Sequence, residues 1–204
     1  MNCDFVSLRN KIKSYMSEKR YIHTLGVEKA ARRIAEVCLP SMEDEIAVAA
    51  LLHDIAKELP SNLQCEYAQQ SGFSLTDDDI ETLPALHSFA APYVIKRDFS
   101  DLATENILSA TFNHTVGAPD ISLFDEIIFV ADYVEENREY SHCKQMRELL
   151  FGSLNSDFTT EQNLSYLHKV FLAIIDFTIH YLSEREMKVN GRTLLTKNAF
   201  SGVN

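Results

Sequence analysis

The chain has 204 residues, a hydrophobic fraction of 46% and a formal net charge of −11. With only 6 Gly and 5 Pro, it is predicted to form one compact, helix-rich domain that buries roughly 70% of its unfolded surface, which excludes a disordered protein. The acidic charge excludes a general nucleic-acid binder, whose affinity comes from Lys and Arg neutralising phosphates; a small anionic ligand would need positive charge from a few local side chains or from bound metal.

Two helices are predicted before the first proline. Residues 5–19 place apolar side chains on one face, and a second helix follows Arg20–Thr24 and ends at Pro40. His23 starts the buried stripe of this second helix, and Arg20, three residues earlier, can face the same point. Taken alone, His23 is better explained as an N-terminal helix residue bonded to the backbone.

The third predicted helix carries two polar residues inside an apolar stretch. It begins at the capping-box pattern Ser41–Asp44 and continues through the apolar stretch Ala49–Leu59, with His53 and Asp54 in its middle. Burying these two polar side chains among Ala, Leu and Ile is unfavourable unless something neutralises them. The pair therefore indicates either ligands of a bound ion or a core imidazole bonded to its neighbour's carboxylate. Lys57 overhangs the same point, or else extends from the helix end to solvent.

Three helices are predicted in the next part of the chain. One covers residues 61–71 and is followed by Gly72 as its C-terminal glycine. Thr76 carries the signal for the start of another, and His87 opens a third, after the break at Pro84.

The second half of the chain places two more polar residues at helix ends or in apolar runs. Residues 102–113 are predicted to form a helix that ends at His114–Pro119. Another opens at the capping-box pattern Ser122–Asp125 and carries Asp132, a lone acid in an apolar run. The alternative explanation for Asp132 is an ion pair in the core, with Arg138 as its partner.

The longest helix is predicted over about residues 163–187, after the capping pattern Thr159–Gln162 and with Gly191 closing it. Residues 191–204 are predicted to be a short C-terminal appendage to a main domain of residues 1–190. No stretch alternates with a period of two, so the predicted fold class is an all-α, single-domain helical bundle.

Location and thiol chemistry follow from the same sequence. No window approaches 18 consecutive apolar residues and the first residues lack the layout of a signal peptide, so a cytoplasmic protein without a membrane span is predicted. The four cysteines are widely spaced and are expected to be reduced: Cys3, Cys38, Cys65 and Cys143. Cys38 is predicted to be a small buried hydrophobe.

Six polar side chains on apolar helices are predicted to face inward: His23, His53, Asp54, His87, His114 and Asp132. Structural zinc sites group their Cys and His ligands at short spacing, which this chain lacks. Ligands from five separated helices indicate instead a catalytic metal centre in a bundle core. Four imidazoles and two carboxylates fit two metals that share a carboxylate.

The remaining histidines are predicted not to bind metal. His142 is placed in a polar loop and His168 in the long helix beside Leu167. His180 and Asp176 share a face of that helix, but they are interpreted as part of a solvated stripe.

The six inward-facing residues, in their order along the chain, resemble the HD-domain superfamily of metal-dependent phosphohydrolases, and more narrowly the bacterial YqeK family. The resemblance rests on four motifs: Arg20-x-x-His23, Leu52-His53-Asp54-x-x-Lys57, His114-Thr115-x-Gly117 and Ala131-Asp132-Tyr133-x-Glu135-x-x-Arg138. They span residues 20–138, and Thr193-Leu194…Asn198 resembles the family's C-terminal end. One departure is Ser88, where the family usually has Gly after the third histidine; this changes the packing of that helix without removing the ligand.

The resemblance implies an enzyme that splits diadenosine tetraphosphate symmetrically into two ADP at a dinuclear centre of divalent or trivalent metal ions. Iron is the implied metal, with manganese or another transition metal as the alternative. One metal would be held by His23, His53, Asp54 and Asp132, and the other by Asp54, His87 and His114, with Asp54 bridging. The phosphate site would be lined by Arg20, Lys57, Thr115, Gly117 and Arg138.

The chemistry of polyphosphate hydrolysis agrees with this interpretation. Metal coordination lowers the pKa of water from about 15.7 to about 7, so a hydroxide held by two metals can attack an inner phosphorus. Lys57 would neutralise charge on the equatorial or leaving oxygens. The proton could be handled by Asp132, Lys57 or a metal-bound water. Arg138, six residues past Asp132, reaches the site only if a helix ends between them.

Three alternatives remain open at this stage. The same fold could hydrolyse another nucleotide, such as a guanosine alarmone or a deoxynucleoside triphosphate. A di-iron centre of this type could instead activate oxygen on a polyol or phosphonate. The protein could also be a nucleotide-binding regulator without turnover. A homodimer is compatible with the sequence.

Overall fold

A computed structural model of the chain describes residues 3–201, and the regular secondary structure of these residues is entirely helical. The predicted all-α, single-domain fold is confirmed. Eleven α-helices occur among the described residues: α1 Phe5–Ile12, α2 Glu18–Cys38, α3 Glu43–Leu52, α4 Ser61–Gln69, α5 Asp77–Glu81, α6 Leu86–Asp98, α7 Glu105–Asn113, α8 Leu123–Val134, α9 Ser141–Ser153, α10 Thr160–Ser183 and α11 Gly191–Ser201.

The helix α3 lies at the centre of the core. Every residue from Ile46 to Leu52 is buried, and α3 packs against α2, α7 and α8. The helix α6 packs on α4 and α7, while α10 contacts α8, α9 and α2. The C-terminal ends of α3 and α7 therefore meet α2, α6 and α8 inside the bundle.

Several helices begin where their capping residues predict. Thr76 and Thr159 each form a complete capping box, with Asp79 and Gln162 respectively. The Ser122 hydroxyl caps α8. These bonds satisfy backbone N–H groups that the first helical turn leaves without a partner.

Two predicted helices begin where expected but differ in their capping or their length. The pattern Ser41–Asp44 forms no capping box, because a short 3₁₀ turn precedes α3 and its N-cap, Met42, offers no side-chain bond. Residues 5–19 are not one helix: α1 ends at Ile12, and the hydroxyl of Ser17 caps the start of α2.

The helix that was expected to carry the His-Asp pair stops before it. The helix α3 ends at Leu52, and the following N–H groups bond to carbonyls three residues back, as between Lys57 and Asp54 (2.9 Å). His53 and Asp54 thus lie in a tightly wound turn instead of the middle of a helix.

The C-terminal half contains a helix that the sequence did not predict. The mostly polar segment of α9 buries Cys143 and Leu150 against its neighbours, so the assignment of His142 to a loop is wrong. Gly191 begins α11 instead of closing α10. The side chain of Asn190 accepts the N–H of Arg192 (2.8 Å), and the N–H of Gly191 donates to the carboxylate of Asp78 (2.6 Å). Residues 202–204 of the predicted appendage lie outside the described residues.

All four cysteines are free, and Cys38 is buried as expected. No helix within residues 3–201 combines the length and the apolar character that a membrane crossing requires.

Candidate metal centre

The six side chains predicted to be ligands come from five elements. His23 lies in the first turns of α2, and His53 and Asp54 lie in the turn after α3. His87 is at the start of α6, His114 caps the C-terminus of α7, and Asp132 is near the end of α8. The structure brings all six together.

Asp54 is the centre of the cluster. Its Oδ2 lies 3.7 Å from Nε2 of His23 and 3.4 Å from Nε2 of His53. Its Oδ1 lies 3.2 Å from Nε2 of His87 and 3.6 Å from Nε2 of His114. Each carboxylate oxygen thus faces a different pair of imidazoles.

These contacts define two triplets of mutually close ligand atoms that share Asp54. In each triplet the atoms lie within 4.8 Å of one another: His23, His53 and Asp54 form the first, and Asp54, His87 and His114 the second. Within residues 3–201 these triplets do not include Asp132. Its Oδ1 is nevertheless 3.0 Å from Nε2 of His23 and 3.8 Å from Nε2 of His53, beside the first triplet.

Three of the imidazoles are oriented by acceptors on their Nδ1 side. Nδ1 of His53 donates to the carbonyl of Ala50 (2.6 Å) and Nδ1 of His114 to the carbonyl of Thr111 (2.7 Å). Nδ1 of His23 lies 3.1 Å from Oε1 of Glu135. Because a carbonyl can only accept, the proton of a neutral imidazole is fixed on Nδ1, and the lone pair of Nε2 is directed into the cluster.

The donor set fits a bound cation. Nε2 of His23 and Nε2 of His53 are buried and make no hydrogen bond with any described residue. Buried polar atoms are normally satisfied. These two nitrogens face the carboxylates of Asp54 and Asp132, an arrangement that fits a cation accepting their lone pairs. Imidazole and carboxylate donors suit transition metals such as iron, manganese or zinc.

Burial and neighbouring side chains both shift the pKa values of the residues in the cluster. Burial opposes ionisation of Asp54, but the neighbouring His53, His114 and His87 hold its pKa well below the usual range. Burial lowers the pKa of His87 to about 4 and also lowers that of His114. Burial acts in the same direction on His23, but the adjacent carboxylates of Asp132 and Glu135 prevail and raise its pKa to about 9, so a metal at its Nε2 would replace a proton.

Three basic side chains surround the candidate ligands. Nη1 of Arg20 lies 2.7 Å from Oδ2 of Asp54. Because α8 ends at Val134, Arg138 folds back so that its Nη2 lies 2.6 Å from Oδ1 of Asp132. Nζ of Lys57 lies over the ring of His87, 3.1 Å from its Nε2.

The two remaining predicted phosphate contacts lie on the turn after α7. The hydroxyl of Thr115 is 3.2 Å from Nε2 of His87. Gly117 has a left-handed backbone (φ 75°) and packs against Thr196 of α11, whose Oγ1 a Cβ at this position would approach to 2.8 Å. Gly117 therefore faces the C-terminal helix.

Sequence reasoning missed the role of Glu135. Its carboxylate is buried, accepts the N–H of Asn137 (2.7 Å) and orients His23 from 112 residues away. Gly26 leaves the space for it, since a Cβ there would overlap Oε2 of Glu135. The signal was present in the fourth motif, which contains Glu135 without assigning it a role.

The other histidines lie outside the cluster. His142 stacks on Phe177 of α10, with ring centroids 3.6 Å apart, and its Nδ1 is 2.8 Å from the Tyr133 hydroxyl. His168 pairs with Glu126 across 2.8 Å. His180 is exposed and pairs with Glu184 one turn later, as the solvated-stripe interpretation predicts.

The fold and the cluster together define a class of protein: an all-helical domain with the ligand chemistry of a transition-metal centre in its core. The sequence matches the HD domain over residues 20–137. Because this match covers more than half of the chain and contains all six candidate ligands, the chain belongs to the HD domain family.

Relatives extend over almost the whole chain. It is 29% identical to the symmetrical bis(5'-nucleosyl)-tetraphosphatase of Bacillus subtilis, over 92% of each chain. A protein of the same name from Staphylococcus aureus is 24% identical over 93% of this chain and 90% of its own. The crystal structure of a predicted HD superfamily hydrolase involved in NAD metabolism from Clostridium acetobutylicum matches with a TM-score of 0.83 at 27% identity, with both chains fully covered. The resemblance inferred from the motifs is confirmed.

Proposed function

We propose that this protein hydrolyses dinucleoside tetraphosphates, with diadenosine tetraphosphate as the expected substrate, symmetrically into two nucleoside diphosphates. The observation that carries the proposal is the pair of ligand triplets that share Asp54 and lie next to three cationic side chains. Two relatives that cover nearly the whole chain carry the name of this activity.

The ligand triplets support a centre for two metal ions. His23, His53 and Asp54, with Asp132 beside them, would hold one ion, and Asp54, His87 and His114 the other; the YqeK resemblance implies iron. When bound, such a metal pair lowers the pKa of attacking water and places positive charge against the phosphoryl oxygens.

The basic side chains supply charge that the rest of the molecule lacks. A tetraphosphate approaching a protein with a net charge of −11 is repelled unless local cations offset that field. Arg20 and Arg138 are each held by one carboxylate of the cluster, which leaves other N–H groups of their guanidinium forks for phosphate oxygens.

Lys57 adds a third cation on the side of His87. Burial lowers the pKa of Lys57, while Asp54 and Asp132 oppose that change. Its position suits neutralising charge that develops on a phosphoryl or leaving oxygen. The Thr115 hydroxyl, also beside His87, adds a neutral donor there.

Metal quantitation paired with product chromatography tests the proposal. Freshly purified protein is expected to carry two equivalents of metal and to convert diadenosine tetraphosphate to ADP alone. Asp54→Asn should lose both metal equivalents and hydrolysis, because both triplets depend on this residue. The control Asp176→Asn changes an exposed acid of α10 that pairs with Lys197, and it should keep metal and activity.

The products separate the alternatives. ATP together with AMP would show asymmetric cleavage and contradict the proposal. Faster hydrolysis of a guanosine alarmone or a deoxynucleoside triphosphate would reassign the substrate. Two metal equivalents retained by Asp54→Asn would contradict the bridging role.

A further inference from the structure

A wide groove opens directly from the candidate metal centre. Its volume is about 870 Å³, within the range of small-molecule sites. Three of its lining residues, Arg20, His23 and Arg138, are the ones that also touch Asp54 or Asp132. A ligand anchored at the metal centre therefore extends into this groove.

The outer wall of the groove carries uncovered apolar surface. Tyr140 is 76% exposed and Ile22 is 48% exposed, and both line it. The phenol ring of Tyr140 makes no ring contact, cation contact or hydrogen bond with any residue between 3 and 201. Although Tyr140 is the N-cap residue of α9, its side chain takes no part in capping.

Charge divides the groove into two parts. The inner, less exposed part has the guanidinium groups of Arg20 and Arg138, which suit phosphates. The outer part has three exposed carboxylates and one exposed ammonium, those of Glu18, Glu58, Glu139 and Lys19, so its net charge is negative and disfavours a phosphate. Glu58 accepts hydrogen bonds from Ser17, and Glu139 pairs with Lys144, but each carboxylate has further lone pairs that can accept hydrogen bonds from amino and hydroxyl groups.

We infer that the outer groove binds one nucleoside of the substrate, with its base stacked on the ring of Tyr140 and its sugar and amino groups facing the carboxylates. This inference rests on the proposed function. Symmetric cleavage leaves a nucleoside diphosphate on each side of the broken bond, so a diphosphate at the two arginines places its nucleoside next to Tyr140. Bases stack on aromatic side chains with little regard to sequence because every base has a π face.

Binding of ADP, a proposed product, tests this assignment without turnover. We would measure by calorimetry the affinity of the metal-loaded protein for ADP and for inorganic pyrophosphate, which lacks base and sugar. Tyr140→Ala is expected to weaken ADP binding about tenfold and to leave pyrophosphate binding unchanged. Tyr140→Phe keeps the ring and should bind ADP like the wild type. Tyr181→Ala, which removes a 41%-exposed tyrosine of α10, is the matched control and should also bind normally.

The outcomes distinguish this inference from the proposed function. If Tyr140→Ala binds ADP as tightly as a wild type that still produces ADP, the nucleoside site is elsewhere and the function stands. An equal loss of pyrophosphate affinity would show a general disturbance of the centre and would also overturn the assignment. A wild type that neither binds nor produces ADP would refute the function, and this inference with it.

Discussion

Two kinds of bond orient the imidazoles of the candidate metal centre. His53 and His114 use carbonyls three residues back in their own chain segment, so these bonds form with local structure. His23 depends on Glu135, which reaches it from the end of α8. Metal affinity through His23 therefore depends on a contact that only the tertiary fold supplies, and Gly26 provides its space.

Replacing Gly26 with Ala tests this positioning role. The new Cβ would occupy the place of Oε2 of Glu135 and would lie 2.8 Å from Nδ2 of Asn137. The buried carboxylate must move, so His23 loses its acceptor. Loss of a partner that orients a metal ligand typically lowers metal affinity by about 10- to 100-fold. Titration with Mn²⁺, followed by calorimetry, is expected to show one weakened site and one unchanged site.

Gly152→Ala is the matched control for this substitution. Gly152 also lies in a helix, but nothing stands within 4 Å of the Cβ that would be added. The variant should keep both metal affinities and gain stability of up to about 1 kcal/mol from better helix propensity. If Gly26→Ala binds Mn²⁺ at both sites with wild-type affinity, Glu135 does not position His23.

The six candidate ligands were predictable because each is a polar residue in an apolar helical pattern, and such a residue needs a partner when buried. Glu135 was not singled out, because its partner is 112 residues away and no spacing rule connects them. The sequence predicts that Arg138 reaches the site only if a helix ends before it. The helix α8 ends at Val134, so this condition is met.

At the scale of elements, one ion pair joins α8 to α10. Glu126 of α8 is 1% exposed, and its Oε1 lies 2.8 Å from Nδ1 of His168, whose side chain is 44% exposed. Burial raises the pKa of Glu126, and hydrogen bonding to Glu126 raises that of His168. Cys38, which also faces Glu126, has its pKa raised to about 12 by burial and stays neutral near pH 7.

This pair predicts a pH-dependent free energy of unfolding. Both pKa values are higher in the folded state, so the native protein binds protons more tightly than the unfolded chain. The stabilisation is fully present below the unfolded value of 4.5 for Glu126 and below 6.5 for His168, and it is lost as pH rises through the raised values. The free energy of unfolding of Glu126→Gln, relative to that of the wild type, should therefore increase by about 1 kcal/mol between pH 5 and pH 8.5. The value is small because solvent screens the exposed imidazole.

Urea unfolding at several pH values measures this difference. The control Glu184→Gln alters another His-Glu pair of α10, in which both side chains are mostly exposed, and it should follow the wild type at every pH. A constant difference between Glu126→Gln and the wild type would show that the pair does not titrate in this range.

Element boundaries were predictable where a side chain caps a helix, as at Thr76 and Thr159. They were not predictable where tertiary packing decides. The apolar sequence after Leu52 is compatible with a longer helix, yet the chain tightens into turns that direct His53 and Asp54 into the centre. The helix α9 has few apolar residues and gains its stability from packing on α10 and α8.

At the scale of the whole molecule, the candidate ligands come from elements distributed over residues 23–132, and all of them pack on the central core. No single helix can hold a metal ion in this arrangement. A bound metal therefore favours the folded state over the unfolded chain, in which the ligands are far apart.

Metal removal is accordingly expected to lower the melting temperature of the entire domain. A ligand present at 100 times its dissociation constant stabilises the native state by about 2.7 kcal/mol, which for a domain of this size corresponds to roughly 5–10 °C. Scanning calorimetry of chelated and Mn²⁺-loaded protein should show one cooperative transition in both cases, shifted upward by the metal. Asp54→Asn should lose the shift, while Asp176→Asn should keep it. An equal shift in Asp54→Asn would locate the stabilising metal away from the two triplets, and a transition that splits in two would show that the ligand-bearing helices do not unfold as one unit.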